Sequence, residues 1–383
     1  MIDIHNFEEI RPYADNEVND VVNGIAQLDF FTPLTTKIFP DQNQDTIREI
    51  FCNNHSIKEF QQNVIYPVLK KIISESSKGI SQLGFDRLNK NTAYLFISNH
   101  HDIILDPSIL NMALHERELD TTEVAIGDNL MQTKWIRDLA KLNKSFIVNR
   151  TPSLKQAYYI SNRLSNYIKY TIHDRNRSVW IAQREGRAKD GNDVTQVSLL
   201  KMLAFGGDTD KCEYLKTLNI LPVSMSYEYD PCDILKVKES IEKENNKAYS
   251  KKKDDDLKSM VTGLTGYKGR INITLGNLLD KEFDDIILHD SAKDRFSSLA
   301  ATIDEQIQSS IKLWPTNFIA YDILMNDQKY SDQYTQEEKE HFIENYEKKI
   351  ESAGLENTDA KIRMLSIYAN PLKNKIRLTG FNT

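Results

Sequence analysis

Between residues 92 and 280, short β-rich runs alternate with helical ones, and few architectures accept that order. "AYLFIS" precedes "SILNMALHER", "EVAIG" precedes "KWIRDLAKL", and "SFIVN" precedes the long run from Ser153 to Ile172. "SVWIAQ", "SLLKMLAF" and "NILPVSMSYEY" continue the series, and "GRINITLGNLL" returns to strand. β-Branched and aromatic residues mark the first kind of run, and apolar spacing near one helical turn marks the second. The alternation predicts an α/β fold: a mixed, largely parallel sheet flanked by helices. In such sheets ligands bind beyond the carboxyl ends of the strands.

The flanks read differently. Residues 1–90 are expected to form a helical N-terminal domain, 91–290 the α/β domain, and 291–383 a helical C-terminal extension packed on it. In "NVIYPVLKKIISESSKGI", Val64, Ile65, Val68, Leu69, Ile72 and Ile73 share one helical face, with Lys70 and Lys71 on the other. Such a stripe is a packing face. "SLAATIDEQIQSSIKLW" repeats the pattern in the extension. Residues 236–260 are strongly charged and are expected to form a solvated helix or loop insertion. Lys251, Lys252 and Lys253 could meet a lipid headgroup there, but Asp254, Asp255 and Asp256 cancel them locally.

Composition narrows the classes of function. Hydrophobic residues are 40% of the chain and charged residues 27%, enough for a sizeable core with a soluble exterior. The net charge of -7 argues against a nucleic-acid partner. Cys52, Cys212 and Cys232 are scattered and form no C-x-x-C pair, which suits a reducing, cytoplasmic setting. "MIDIHNFEEIRPYADNEVND" is acidic and lacks the apolar core of a signal peptide. No apolar run approaches the ~18 residues of a spanning helix, so contact with lipid is expected only at the surface, as a peripheral protein on the inner membrane face.

"YLFISNHHDIILDPSIL" carries the densest chemistry. His100, His101, Asp102 and Asp106 gather where a strand runs into a helix. A zinc site wants three or four convergent ligands, and neighbouring residues rarely aim at one ion; with no H-E-x-x-H either, no metal is expected. A hydrolase elbow Gly-x-Ser-x-Gly is absent. A His-His-x-x-x-Asp-Gly condensation motif fails because Asp106 lies one residue too far and Pro107 follows it. Two readings remain. One is a polar turn whose aspartate caps a helix starting at Pro107 or Ser108. The other is a general base with its orienting carboxylate, since imidazole accepts a proton near neutral pH and a carboxylate on its second nitrogen fixes the tautomer. An acyl thioester donor would spare the protein any covalent intermediate. The acceptor would then need a cationic site.

Three later segments supply one. "SFIVNR" places Phe146 and Arg150 at a strand end. "WIAQREGRAKDGND" holds Arg184, Glu185, Gly186, Arg187, Lys189 and Gly191. "ILPVSMSYEYDP" opens with Pro222 and Val223. The guanidinium fork suits phosphate, and a glycine at a strand end lets backbone approach a ligand.

The four blocks, in this order, resemble those of the glycerolipid acyltransferase family, the glycerol-3-phosphate and 1-acylglycerol-3-phosphate acyltransferases. The family pattern is Asn-His-x4-Asp, Phe-x-x-Arg, Glu-Gly-x-Arg and a strand with Val-Pro or Leu-Pro-Val; this chain offers "NHHDIILD", "FIVNR", "EGRAKDG" and "LPVSMSYE". The resemblance covers residues 92–280 and is similar to a divergent soluble branch. It implies His100 or His101 as base and Asp106 as its orienter. Arg150 and Arg187, with Lys189, would hold an acceptor phosphate; Glu185 and Gly186 would shape the pocket and Pro222 its wall. The Asn-His anchor falls on His100, and the family spacing to Asp106 falls on His101. Arg150 stands one position late, and one residue is missing between Gly186 and Arg187. The resemblance implies no cofactor beyond acyl-CoA or acyl carrier protein as co-substrate, and glycerol phosphate or a lysophospholipid as acceptor. A non-catalytic lipid- or acyl-carrier-binding protein on the same fold is the alternative; a metal-dependent hydrolase is a third.

Overall fold

The computed structural model describes residues 4–150, 154–207, 210–246, 249–250 and 254–381. Among these, seven strands form one sheet: β1 Ile80–Leu83, β2 Leu95–Ser98, β3 Glu123–Gly127, β4 Ser145–Val148, β5 Val179–Ala182, β6 Ile220–Tyr227 and β7 Ile271–Leu275. Their order is β1-β7-β6-β2-β5-β3-β4. The five strands β6, β2, β5, β3 and β4 are parallel, and β7 runs antiparallel to β6 with β1 parallel to it. The sheet is therefore mixed and largely parallel, as the alternation predicts.

The pleat sends alternate side chains of a strand to opposite faces. Leu95 and Ile97 of β2 pack with Ile181, Ile220 and Ile303 on one face. Phe96 packs with Leu105, Trp180 and Val223 on the other. Both faces of β2 are thus covered, and its four residues are all buried. Full burial of one such side chain is worth about 1.5–3 kcal/mol. Of the stripe expected before residue 90, Leu69 and Ile73 join the Phe96 side of the core.

Two expectations need adjusting. The segment before residue 90 is not wholly helical, because β1 pairs in register with β7, Ile80 opposite Ile271. The 236–260 segment forms two helices, Asp233–Asn245 and Asp255–Thr265, and its first turn is not solvated: Lys236 is 2% exposed. Lys251, Lys252 and Lys253 lie outside the described residues. No described helix is long and apolar enough to cross a membrane.

The C-terminal helices Pro315–Met325, Gln336–Ser352 and Thr358–Thr379 build their own core around Ile319, Phe342, Met364 and Tyr368. They also grip the loop after β5. Asn370 Nδ2 donates to Asp190 O at 2.7 Å, and Asn374 Nδ2 to Asn192 Oδ1 at 3.1 Å. Gly191 sits at φ +78, and a Cβ there would lie 2.4 Å from Ile367 O, so this turn accepts glycine alone.

Candidate active site

β2 lies between β5 and β6. The chain leaves it toward β3 on one side, while β6 is laid on the other, so the carboxyl end of β2 is a switch point of the sheet. Ser98 ends the strand and the Leu105–His115 helix begins after a turn of six residues. His100, His101 and Asp102 occupy the turn between them.

Asp106, fully buried in the first turn of that helix, organises the turn. Side chains in a helix lean toward its N-terminus, so this carboxylate reaches back over the preceding residues. Its Oδ2 accepts from His100 Nδ1 at 2.9 Å, His101 N at 2.7 Å and Asp102 N at 3.0 Å. Its Oδ1 accepts from Tyr227 Oη at 2.8 Å. Burial works against the charge, but the hydrogen bond from His100, with that from the Asp102 N–H, outweighs it and holds the carboxyl below its usual range. An ionised Asp106 accepts only, so His100 Nδ1 carries the proton and Nε2 keeps its lone pair. The ring of His100 stands edge-on to Trp180, centroids 5.7 Å apart, and retains 13% exposure.

His101 is placed otherwise. Its Nε2 lies 3.0 Å from Asn99 Nδ2, and its ring packs edge-on to Tyr227 at 5.7 Å. Burial, with the charge of Lys236, lowers its pKa. Its main-chain oxygen accepts from Lys236 Nζ at 3.2 Å. The family spacing points to His101, but Asp106 meets only its backbone; the imidazole on Asp106 is that of His100. Ile103 and Ile104 turn the chain ahead of the helix and absorb the extra residue.

Capping and orienting fall to different aspartates. Asp102 Oδ1 accepts from Ile104 N at 2.9 Å and Leu105 N at 2.7 Å, closing the helix start that the sequence assigned to Asp106. The helix begins at Leu105, ahead of Pro107. Asp102 is backed by Gly263, where a Cβ would lie 1.9 Å from its Oδ2. Bonded at the helix start, Asp102 has no room to yield. Gly263→Ala is expected to cost about 1–3 kcal/mol by overpacking, read as a lower denaturant midpoint, and to lower activity with it.

The cationic residues are divided. Arg150 donates its main-chain N–H to Asp128 Oδ2 at 3.3 Å, and its Nε lies 3.3 Å from Glu185 Oε1. Both side chains of this pair are largely exposed, 46% and 67%, so it is loose and open to competition by a ligand. Gly186 needs its left-handed φ of +70, and open space surrounds the position a Cβ would take. Arg187 is buried, and no described residue bonds its Nη1. Ala188 N donates to His100 O at 3.2 Å, which brings this loop against the histidine turn. Lys189 points elsewhere, to Glu239 at 2.7 Å. Pro222 lies within β6 opposite Ile97, and its oxygen accepts from Gly276 N at 2.8 Å; it is part of the sheet behind the turn.

Three contributors carried no strong sequence signal. Tyr227 ends β6, and only the sheet brings it to Asp106. Asn99 binds Met225 through both amide atoms, Nδ2 to O and N to Oδ1 at 2.8 Å each, fastening the turn to β6. Asp193 accepts the main-chain N–H of His100 at 2.6 Å. Burial pushes Asp193 up to about 6. A carboxyl raised in the fold favours folding below its unfolded pKa of 3.8 and loses that advantage as pH rises toward 6. Asp193→Asn is therefore expected to gain stability relative to wild type between pH 4 and 7, by about 3 kcal/mol at 1.36 kcal/mol per pKa unit. Urea unfolding of both proteins across that range checks it; a constant difference would refute it.

Among the described residues, no group of three or more His, Cys, Asp or Glu is arranged to hold a metal ion. The histidine on a buried carboxylate, at a strand end beside an arginine-bearing loop, is chemistry for moving a proton next to an anionic ligand. Residues 81–201 match the model of the acyltransferase family, so the central segment is an acyltransferase domain. The match takes in the histidine turn, Arg150 and the Glu185–Arg187 loop, about a third of the chain. Among solved structures it is similar to the 1-acyl-sn-glycerophosphate (LPA) acyltransferase PlsC from Thermotoga maritima, at 11% identity and a TM-score of 0.36 over 76% of this chain and 91% of that chain. No curated protein matches the sequence.

Proposed function

We propose that this acyltransferase moves a fatty acyl group from an acyl thioester to a hydroxyl of glycerol phosphate or a lysophospholipid. His100 is the base. Its Nε2 takes the hydroxyl proton as the oxygen attacks the thioester carbonyl, while Nδ1–H remains on Asp106, which stabilises the imidazolium. Collapse of the adduct breaks the carbon–sulfur bond, and the same proton passes from Nε2 to the departing sulfur. The observation that carries this reading is the 2.9 Å contact between His100 and the buried Asp106.

Arg150 is the acceptor-phosphate ligand in this proposal, released from Glu185 when the phosphate arrives. The buried Arg187 raises the potential of the pocket from below. Acyl-CoA and acyl carrier protein are the candidate donors. The test supplies purified protein with both donors and with glycerol 3-phosphate or lysophosphatidate, and follows thiol release with ester formation. Transfer that falls in Arg150→Ala chiefly through a raised KM for the acceptor supports the reading. Vesicle or carrier binding with no transfer from any donor would establish the non-catalytic alternative instead.

A further inference from the structure

At the opposite end of the sheet from His100 lies a cleft of about 580 Å³, within the range of small-molecule sites. It opens between the N-terminal segment around Arg11–Asp15 and the amino ends of β3, β4 and β5. None of the residues placed at the candidate active site lines it. Its walls are aromatic, with Phe7, Tyr13, Tyr167 and Tyr170 facing the space.

The charges around it are unevenly spread. Arg11 is held by Glu17 at 2.6 Å and by Glu8 at 2.7 Å. Asp15 receives the Ile57 N–H at 2.8 Å. Deeper in, two arginines share one buried carboxylate, with a lysine nearby. Glu123, fully buried, takes Arg175 at 2.8 Å and the Tyr167 hydroxyl at 2.5 Å. Arg177 stands 3.6 Å from that same carboxylate and is 46% exposed. The Lys144 ammonium has a main-chain oxygen, that of Thr121, at 3.3 Å. Asp120 adds one negative charge, and Lys58 one more positive. Over the whole cleft these charges balance, but its inner part sets Lys144, Arg175 and Arg177 against Glu123 and Asp120.

We propose that this cleft binds a phosphate-bearing compound of nucleotide size, its phosphate taken by Lys144 and Arg177 and its body by the tyrosines. The volume exceeds what a free phosphate ion fills, and the aromatic wall matches a planar ring. A phosphate would give Lys144 and Arg177 closer, charge-assisted acceptors than the Thr121 carbonyl at 3.3 Å and the Glu123 carboxylate at 3.6 Å. Burial lowers Lys144 to about 8, so an arriving anion would draw a proton onto its amine.

Calorimetry with AMP and with pyrophosphate, at pH 8 in two buffers of different ionisation enthalpy, tests this on the full chain. The expected result is saturable AMP binding with proton uptake. Lys144→Met should abolish the uptake, and both it and Arg177→Gln should weaken binding about tenfold or more. Lys144→Arg should retain binding. Acyl transfer without AMP should stay unchanged in all three variants. Pyrophosphate binding that equals AMP binding would overturn the role of the aromatic wall. Absence of binding, or undiminished binding in Lys144→Met and Arg177→Gln, would overturn the site. Loss of AMP binding in Arg150→Ala instead would assign the ligand to the acyl-transfer centre and overturn it too. Vesicles containing phosphatidic acid form the lipid arm: binding to them that fails in Lys144→Met, without AMP binding, would replace the soluble ligand with a headgroup.

Discussion

His100→Ala is expected to lower the rate of acyl transfer by about 10²–10⁴-fold, the span a positioned general base contributes, while His101→Ala should keep most of it. The asymmetry follows from geometry. His100 Nδ1 is bonded to Asp106, which leaves Nε2 for the acceptor hydroxyl, whereas His101 Nε2 is already 3.0 Å from the Asn99 amide. Replacing Asp106 separates charge from shape. In Asp106→Asn a carbonyl oxygen can still accept from His100 Nδ1 and the two backbone N–H groups, so the tautomer survives and the negative charge is lost. The expected penalty is about tenfold to a hundredfold, the difference between a charged and a neutral hydrogen bond. Asp106→Ala removes the acceptor from all three N–H groups and should lose activity and stability together. Initial rates at saturating donor and acceptor, beside denaturant midpoints, separate these cases. The reverse pattern, with His101→Ala the inactive variant, would reassign the base.

Lys236→Met is expected to destabilise the fold by about 3–5 kcal/mol, the usual cost of breaking a buried ion pair by removing one partner. Lys236 Nζ reaches Asp230 at 2.5 Å and the carbonyl of His101 at 3.2 Å, with both side chains almost wholly buried. Methionine fills the space and leaves the Asp230 carboxylate uncompensated. The pair sits in a longer chain of contacts: Asp230 N donates to the Tyr368 hydroxyl at 3.2 Å, and that hydroxyl and Lys349 hold Asp233 at 2.7 and 2.8 Å. Tyr368 and Lys349 belong to the C-terminal helices, so the extension bears on the histidine turn through buried charge. Lys236→Met with Asp230→Leu should recover much of the loss, because the orphaned carboxylate goes with its partner. A single variant as stable as wild type in urea would remove Lys236 from this role.

Much of the fold was legible in the sequence because burial patterning is a local property. "EVAIG" and "KWIRDLAKL" became a strand and a helix with their expected bounds, Glu123–Gly127 and Lys134–Leu142. β1 was missed because four residues of pattern "ISQL", half-buried at a sheet edge, give little periodicity to read. Lys236 was read as solvated because its segment is charged, and charge in sequence does not reveal that a partner waits in the interior. Its bond to the carbonyl of His101 spans 135 positions, which only the fold brings together.

The sequence by itself determined the α/β order, the strand end that carries the histidine turn, and the set of residues able to serve it. Those follow from periodicity and from residue chemistry, which need no neighbours in space. Tertiary structure decided which members act together. It put His100 rather than His101 on Asp106, gave the capping role to Asp102, added Tyr227 and Asp193, and turned Lys189 away to Glu239. Each choice depends on the direction of a side chain, set by the turn after β2 or by segments arriving from 50 to 121 positions away. A one-residue shift in spacing, which in sequence looks like a departure, is in space the length of chain that this turn requires.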